Sequence, residues 1–87
     1  MNIRVNDVFS LKNGKYITLE KVNYNGDSYI FVNKLDNFDE PTNLFMVFKC
    51  LKKGLIEEKD TNILKPLLQY FSEKANQRLE LINDMEK

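Results

Sequence analysis

Histidine is absent from this 87-residue chain. That removes the commonest general base and the commonest metal ligand together. It also rules out any Ser/His/Asp or Cys/His nucleophilic site built within the chain. Cysteine is nearly absent. Cys50 stands alone, so neither an intrachain disulfide nor a thiolate metal cage can form; in the middle of the most apolar stretch it reads as a small core hydrophobe. Net charge is lacking too: 13 basic and 13 acidic residues cancel, which argues against a protein whose main business is a phosphate backbone. The longest apolar run, Leu44-Phe45-Met46-Val47-Phe48, falls far short of a membrane span. Met1-Asn2-Ile3-Arg4 has no apolar stretch behind it, so no signal peptide is expected. These absences lead to the expectation of a soluble, cytoplasmic protein without catalytic residues, cofactor or metal. Glycine, proline and alanine are scarce beside asparagine, lysine and isoleucine, a bias that an A+T-rich genome produces.

What is present is enough for one core. The apolar share is 43%, and a domain of this length buries roughly 60–65% of its unfolded surface. A single domain over residues 1–87 is expected, with a sheet across about 8–58 and a helix across about 62–84. Two dipeptides punctuate the first half. Asn13-Gly14 and Asn25-Gly26 supply the positive φ that both central positions of a tight hairpin turn require. Around them, residues 8–12, 15–24 and 28–35 are rich in β-branched and aromatic side chains, and read as a three-stranded antiparallel meander.

In the second of these strands Ile17 and Leu19 share one face, while Val22 and Tyr24 take the other. A bulge near Glu20-Lys21 would restore one apolar face, because one extra residue flips every side chain after it. The alternative is a strand covered on both faces. A polar loop over residues 36–43 leads to a fourth strand over 44–51, apolar at both parities, as suits a central strand buried on two sides. Lys52-Lys53-Gly54 then turns into a short edge strand over 55–58.

From Asp60 the period changes. Leu64, Leu68, Phe71, Ala75, Leu79 and Ile82 recur at steps of three and four, which places them on one helical face, widened by Ile63, Leu67 and Met85. Asp60, Thr61 and Asn62 are competent N-caps, and Pro66 is expected in or next to the first turn. A 24-residue helix runs about 36 Å, longer than a strand of eight. Its outer half, with Leu79, Ile82 and Met85, therefore reads as a surface for a protein partner or a second copy. The fold class is α+β: a four- to five-stranded antiparallel meander packed by one C-terminal helix.

Two acidic groups were candidates for metal ligands. Asp36, Asp39 and Glu40 share one loop, and Glu57, Glu58 and Asp60 flank the helix start, but neither has the close alternating spacing and glycine of an oxygen-ligand loop. The second group has a simpler use, since negative charge is favoured beside a helix N-terminus. The basic and aromatic residues of the sheet carry the alternative functional reading. Lys15, Tyr16, Lys21, Tyr24 and Lys34, with Tyr29 and Phe31, would offer a stacking surface with phosphate contacts if the strands closed into a small SH3-like barrel that binds nucleic acid.

The stretches Val5-Asn6-Asp7-Val8-Phe9-Ser10-Leu11, Asn13-Gly14-Lys15-Tyr16-Ile17 and 24–32, with Leu67-Leu68-Gln69-Tyr70-Phe71 in the helix, resemble small uncharacterised proteins of low-G+C Gram-positive bacteria and their phages. They are also distantly similar to the YrzB-like domain of unknown function, from which the neutral charge of this chain departs. The resemblance implies the fold and a bacterial or phage origin, and brings no catalytic residue with it. The functional expectation is a non-enzymatic interaction or regulatory module acting through protein contacts.

Overall fold

The computed structural model describes the backbone of residues 3–85 and the side chains of residues 3–74. Five strands come first: β1 (Val8–Leu11), β2 (Gly14–Tyr24), β3 (Asp27–Leu35), β4 (Pro41–Leu51) and β5 (Gly54–Glu57). One helix, α1 (Thr61–Met85), follows. The strands form a single antiparallel sheet in the order β1-β2-β3-β4-β5, so each pairs with its neighbour in the chain. The α+β meander expected from the sequence is the fold of this protein.

The turns follow local chemistry, with one shift. Tyr24 pairs with Asp27, which leaves Asn25 and Gly26 as a two-residue loop with φ of 51° and 82°; this is the mirror-image turn that matches strand twist. At the first hairpin Leu11 pairs with Gly14, so the loop is Lys12-Asn13 and not Asn13-Gly14. Gly14 instead opens β2 at φ 152°, and an added Cβ would lie 2.7 Å from Cε of Lys34.

β2 contains the expected bulge one residue early. Thr18 pairs with Val32 and Glu20 with Phe31, leaving Leu19 as the extra residue. Before it, Tyr16 and Thr18 share a face with Val32. After it, Glu20, Val22 and Tyr24 share a face with Phe31 and Tyr29. The bulge does not gather one apolar face; β2 is covered on both faces, the alternative the sequence offered. The bulge lets one strand serve two cores.

The first core holds Ile3, Tyr16, Ile30, Val32 and Phe48, with Phe9, Leu11, Met46, Cys50 and Leu55 packed against it. It is enclosed by the sheet's own curl. The rings of Phe9 on β1 and Phe48 on β4 are centred 6.3 Å apart, although three strand spacings across a flat sheet come to about 14 Å. Tyr16, fully buried, stands between them at 5.6 Å from each. The second core lies on the other face, beneath the helix: Tyr29, Val47, Leu67 and Phe71, with Val22, Tyr24, Phe31, Ile63 and Leu64 around them. The one core expected from the composition is therefore two, on opposite faces of the sheet.

The helix starts where Asp60 caps it: its Oδ1 accepts from the Asn62 N–H at 2.9 Å, and its carbonyl accepts from the Ile63 and Leu64 N–H groups. Pro66 is the sixth residue of α1 and so lies in the second turn, next to the first. There its missing N–H removes the bond that the Asn62 carbonyl would otherwise accept. The buried line of the helix is Leu67 and Phe71, with the partly buried Ile63 one turn before them, at steps of four. Leu68, expected at the centre of the stripe, lies about 100° round from Leu67 and is 45% exposed. No helix among the described residues is long and apolar enough to cross a membrane.

Phe71→Ala is expected to cost about 3–5 kcal/mol, a large part of the roughly 4–13 kcal/mol available to a domain of this length. Leu68→Ala should cost under about 1.5 kcal/mol, since its side chain is half in water already. Urea unfolding of both variants checks this, and equal losses would contradict the helix orientation.

Candidate functional site

β4 was expected to be a central strand buried on both faces. Only its middle is. Val47 and Phe48 are buried, whereas Leu44 is 58% and Phe45 54% exposed. The cause is the mismatch in length between β4 and the elements beside it. β5 pairs only with Phe48 through Leu51, the Glu58 N–H bonds the Val47 carbonyl at 2.9 Å, and the chain then leaves the sheet for the helix. From Met46 back toward Pro41, no strand among the described residues pairs with the outer edge of β4.

The inner edge of the same segment is held firmly. Three residues, Thr42, Asn43 and Leu44, stand opposite the single Lys34 in the ladder with β3. The buried Asn33 amide satisfies the carbonyls this leaves, donating to Thr42 at 2.8 Å and to Leu44 at 2.9 Å. The Thr42 hydroxyl donates to the Lys34 carbonyl at 2.6 Å and accepts from the Leu44 N–H at 3.2 Å. The exposed end of β4 is thus an ordered strand with one free side.

Between that free edge and the first turns of the helix lies a groove of about 350 Å³, lined by Phe31, Phe45, Met46, Val47, Glu57, Glu58, Leu64 and Leu68. Its floor is an aromatic stack. The Phe31 ring lies 5.2 Å from Phe71 below the helix and 5.7 Å from Phe45 at the edge, all nearly parallel. Leu68, half exposed, forms the groove's helix wall with Leu64. Glu57 and Glu58 are the charged members of the lining, and among the described residues neither forms an ion pair.

The residues of the nucleic-acid reading do not make one surface. Tyr16 is buried in the first core, its hydroxyl donating to Asn13 at 3.0 Å, so its ring cannot stack on a base. Tyr24 lies on the opposite face, tilted against Tyr70 at 6.2 Å. Lys15 pairs with Asp39 at 2.8 Å, Lys21 donates to the Ile3 carbonyl at 3.0 Å, and Lys34 folds over Gly14. Leu79, Ile82 and Met85, expected to meet a partner, lie outside the described side chains. In the acidic loop after β3, Asp36 accepts from the Phe38 and Glu40 N–H groups, which makes it a turn former.

Sequence reasoning missed the groove because apolar residues at both parities of a strand read as core. The signal that could have found it is the length of the fourth apolar run beside the four residues that follow Gly54. Compared with protein-family models, with characterised proteins and with solved structures, the chain finds no match.

Below the groove, burial pushes the Tyr29 phenol above its ordinary value of 10.0, with Glu58 and Asp27 adding to the rise and Lys49 opposing it. Above about pH 10 the unfolded chain releases this proton while the folded chain keeps it, so stability falls as pH rises through that range. Tyr29→Phe should flatten part of this alkaline decline in thermal melts. Parallel declines for parent and variant would contradict the burial of the hydroxyl.

Proposed function

We propose that this chain is a non-enzymatic interaction module that works through protein contacts, and that the groove between β4 and α1 is where it makes them. The observation that carries this reading is the groove itself, an open apolar cleft in which Phe45 and Leu68 stand half exposed beside Phe31, Val47 and Leu64. Scattered exposed apolar residues are ordinary on any protein. A set gathered around an open groove is the usual mark of an interaction site. Burying one such side chain fully is worth about 1.5–3 kcal/mol, so Phe45 and Leu68 alone can supply much of a specific contact. The lack of histidine and the closure of the first core around its own rings leave contact, rather than reaction, as the activity the residues support.

The test compares the parent with a Phe45→Asp, Leu68→Asp variant as baits in lysate of a Gram-positive bacterium, each with and without nuclease. Both side chains are half exposed, so the variant should melt close to the parent. The reading expects a protein retained by the parent after nuclease and lost by the variant. Retention by both, or release by nuclease, would overturn it.

A further inference from the structure

We infer that the occupant of this groove is an extended segment of a partner protein, apolar at alternate positions and carrying lysine or arginine, which adds to the sheet along the free edge of β4. This deepens the reading above and rests on it. The backbone supplies the first reason. The Val47 carbonyl points to the β5 side, where it accepts from Glu58, and the Leu44 carbonyl points the other way, to Asn33. Backbone groups alternate along a strand, so the N–H and C=O of Phe45 point to the same side as the Val47 carbonyl, where no strand among the described residues pairs with them. An unpaired strand edge is a template for another strand. The edges of β1 and β5 are each four residues long, but β4 runs for 11 residues, of which β5 covers four.

The side chains supply the second reason. In an added strand, alternate residues would point toward the helix, into the apolar lining of Phe31, Phe45, Val47, Leu64 and Leu68. Glu57 and Glu58, unpaired among the described residues, stand in that lining with no cation. Two carboxylates in the wall favour an occupant that brings positive charge. A second copy pairing edge to edge would bring none, because residues 41–48 contain no charged residue. Recognition of this kind draws affinity from the main chain and specificity from alternate side-chain pockets.

The test uses a displayed library of short extended peptides with apolar residues at alternate positions and lysine between them, with two control libraries. One carries glutamate for lysine, and the other has alternate backbone amides methylated so that they cannot pair. The account expects selected lysine peptides to bind, to slow hydrogen exchange at the Phe45 amide, and to bind about fivefold more weakly to the Glu57→Gln, Glu58→Gln variant, the scale of one partly exposed ion pair. Equal binding of the glutamate or methylated peptides would overturn the proposal, as would failure of the whole lysine library. Self-association of the parent that protects the Phe45 amide would assign the edge to a second copy instead. If the peptides fail while the Phe45→Asp, Leu68→Asp variant still loses its captured protein, the interaction site stands and strand addition is the part refuted.

Discussion

A sheet that is apolar on both faces must have both faces covered, and a chain of 87 residues has material for one covering helix. The structure meets this constraint by asymmetry. One face receives α1, with Leu67 and Phe71 pressed onto Tyr29 and Val47. On the other face the described residues form no second layer beyond the segment of Ile3, and the sheet curls until Phe9, Tyr16 and Phe48 from three strands touch one another. The bulge at Leu19 makes the arrangement possible within β2, since the strand gives Tyr16 and Thr18 to the curl and Val22 and Tyr24 to the helix. Bulges add local twist and bend, so the same extra residue serves the change of face and the curvature.

The open groove is a consequence of that economy. A helix that lies across Tyr29, Phe31 and Val47 leaves the far end of β4 uncovered, and a four-residue β5 leaves its edge unpaired. Asn33 and Thr42 keep the uncovered segment in strand form from the inner side. An isolated protruding strand would fray; this one is fixed by a buried amide that satisfies two carbonyls at once, and buried polar groups with their bonds made are what keep backbone order where a regular ladder stops.

Much of this was legible in the residues, and the failures have particular causes. Asn25-Gly26 named its turn because both positions need positive φ. Asn13-Gly14 misled by one residue, since Leu11 pairs with Gly14 and the glycine serves the strand. The bulge was legible from the parity of Ile17 and Val22, but not its consequence, because parity shows that a strand changes face and not whether both faces are covered. Leu68 and Leu67 both fit the helical period; what decides between them is the angle at which the helix meets the sheet, a tertiary fact. The exposure of Leu44 and Phe45 was the least legible, because burial there depends on how far a neighbouring strand runs.

The central claim is that one sheet carries two cores, one under the helix and one inside its own curl. Nuclear Overhauser contacts between assigned aromatic rings test it most directly. The account predicts cross-peaks both between Phe31 and Phe71 and between Phe9 and Phe48. Cross-peaks for the first pair with none for the second would mean a flat sheet with a single core, and would contradict it.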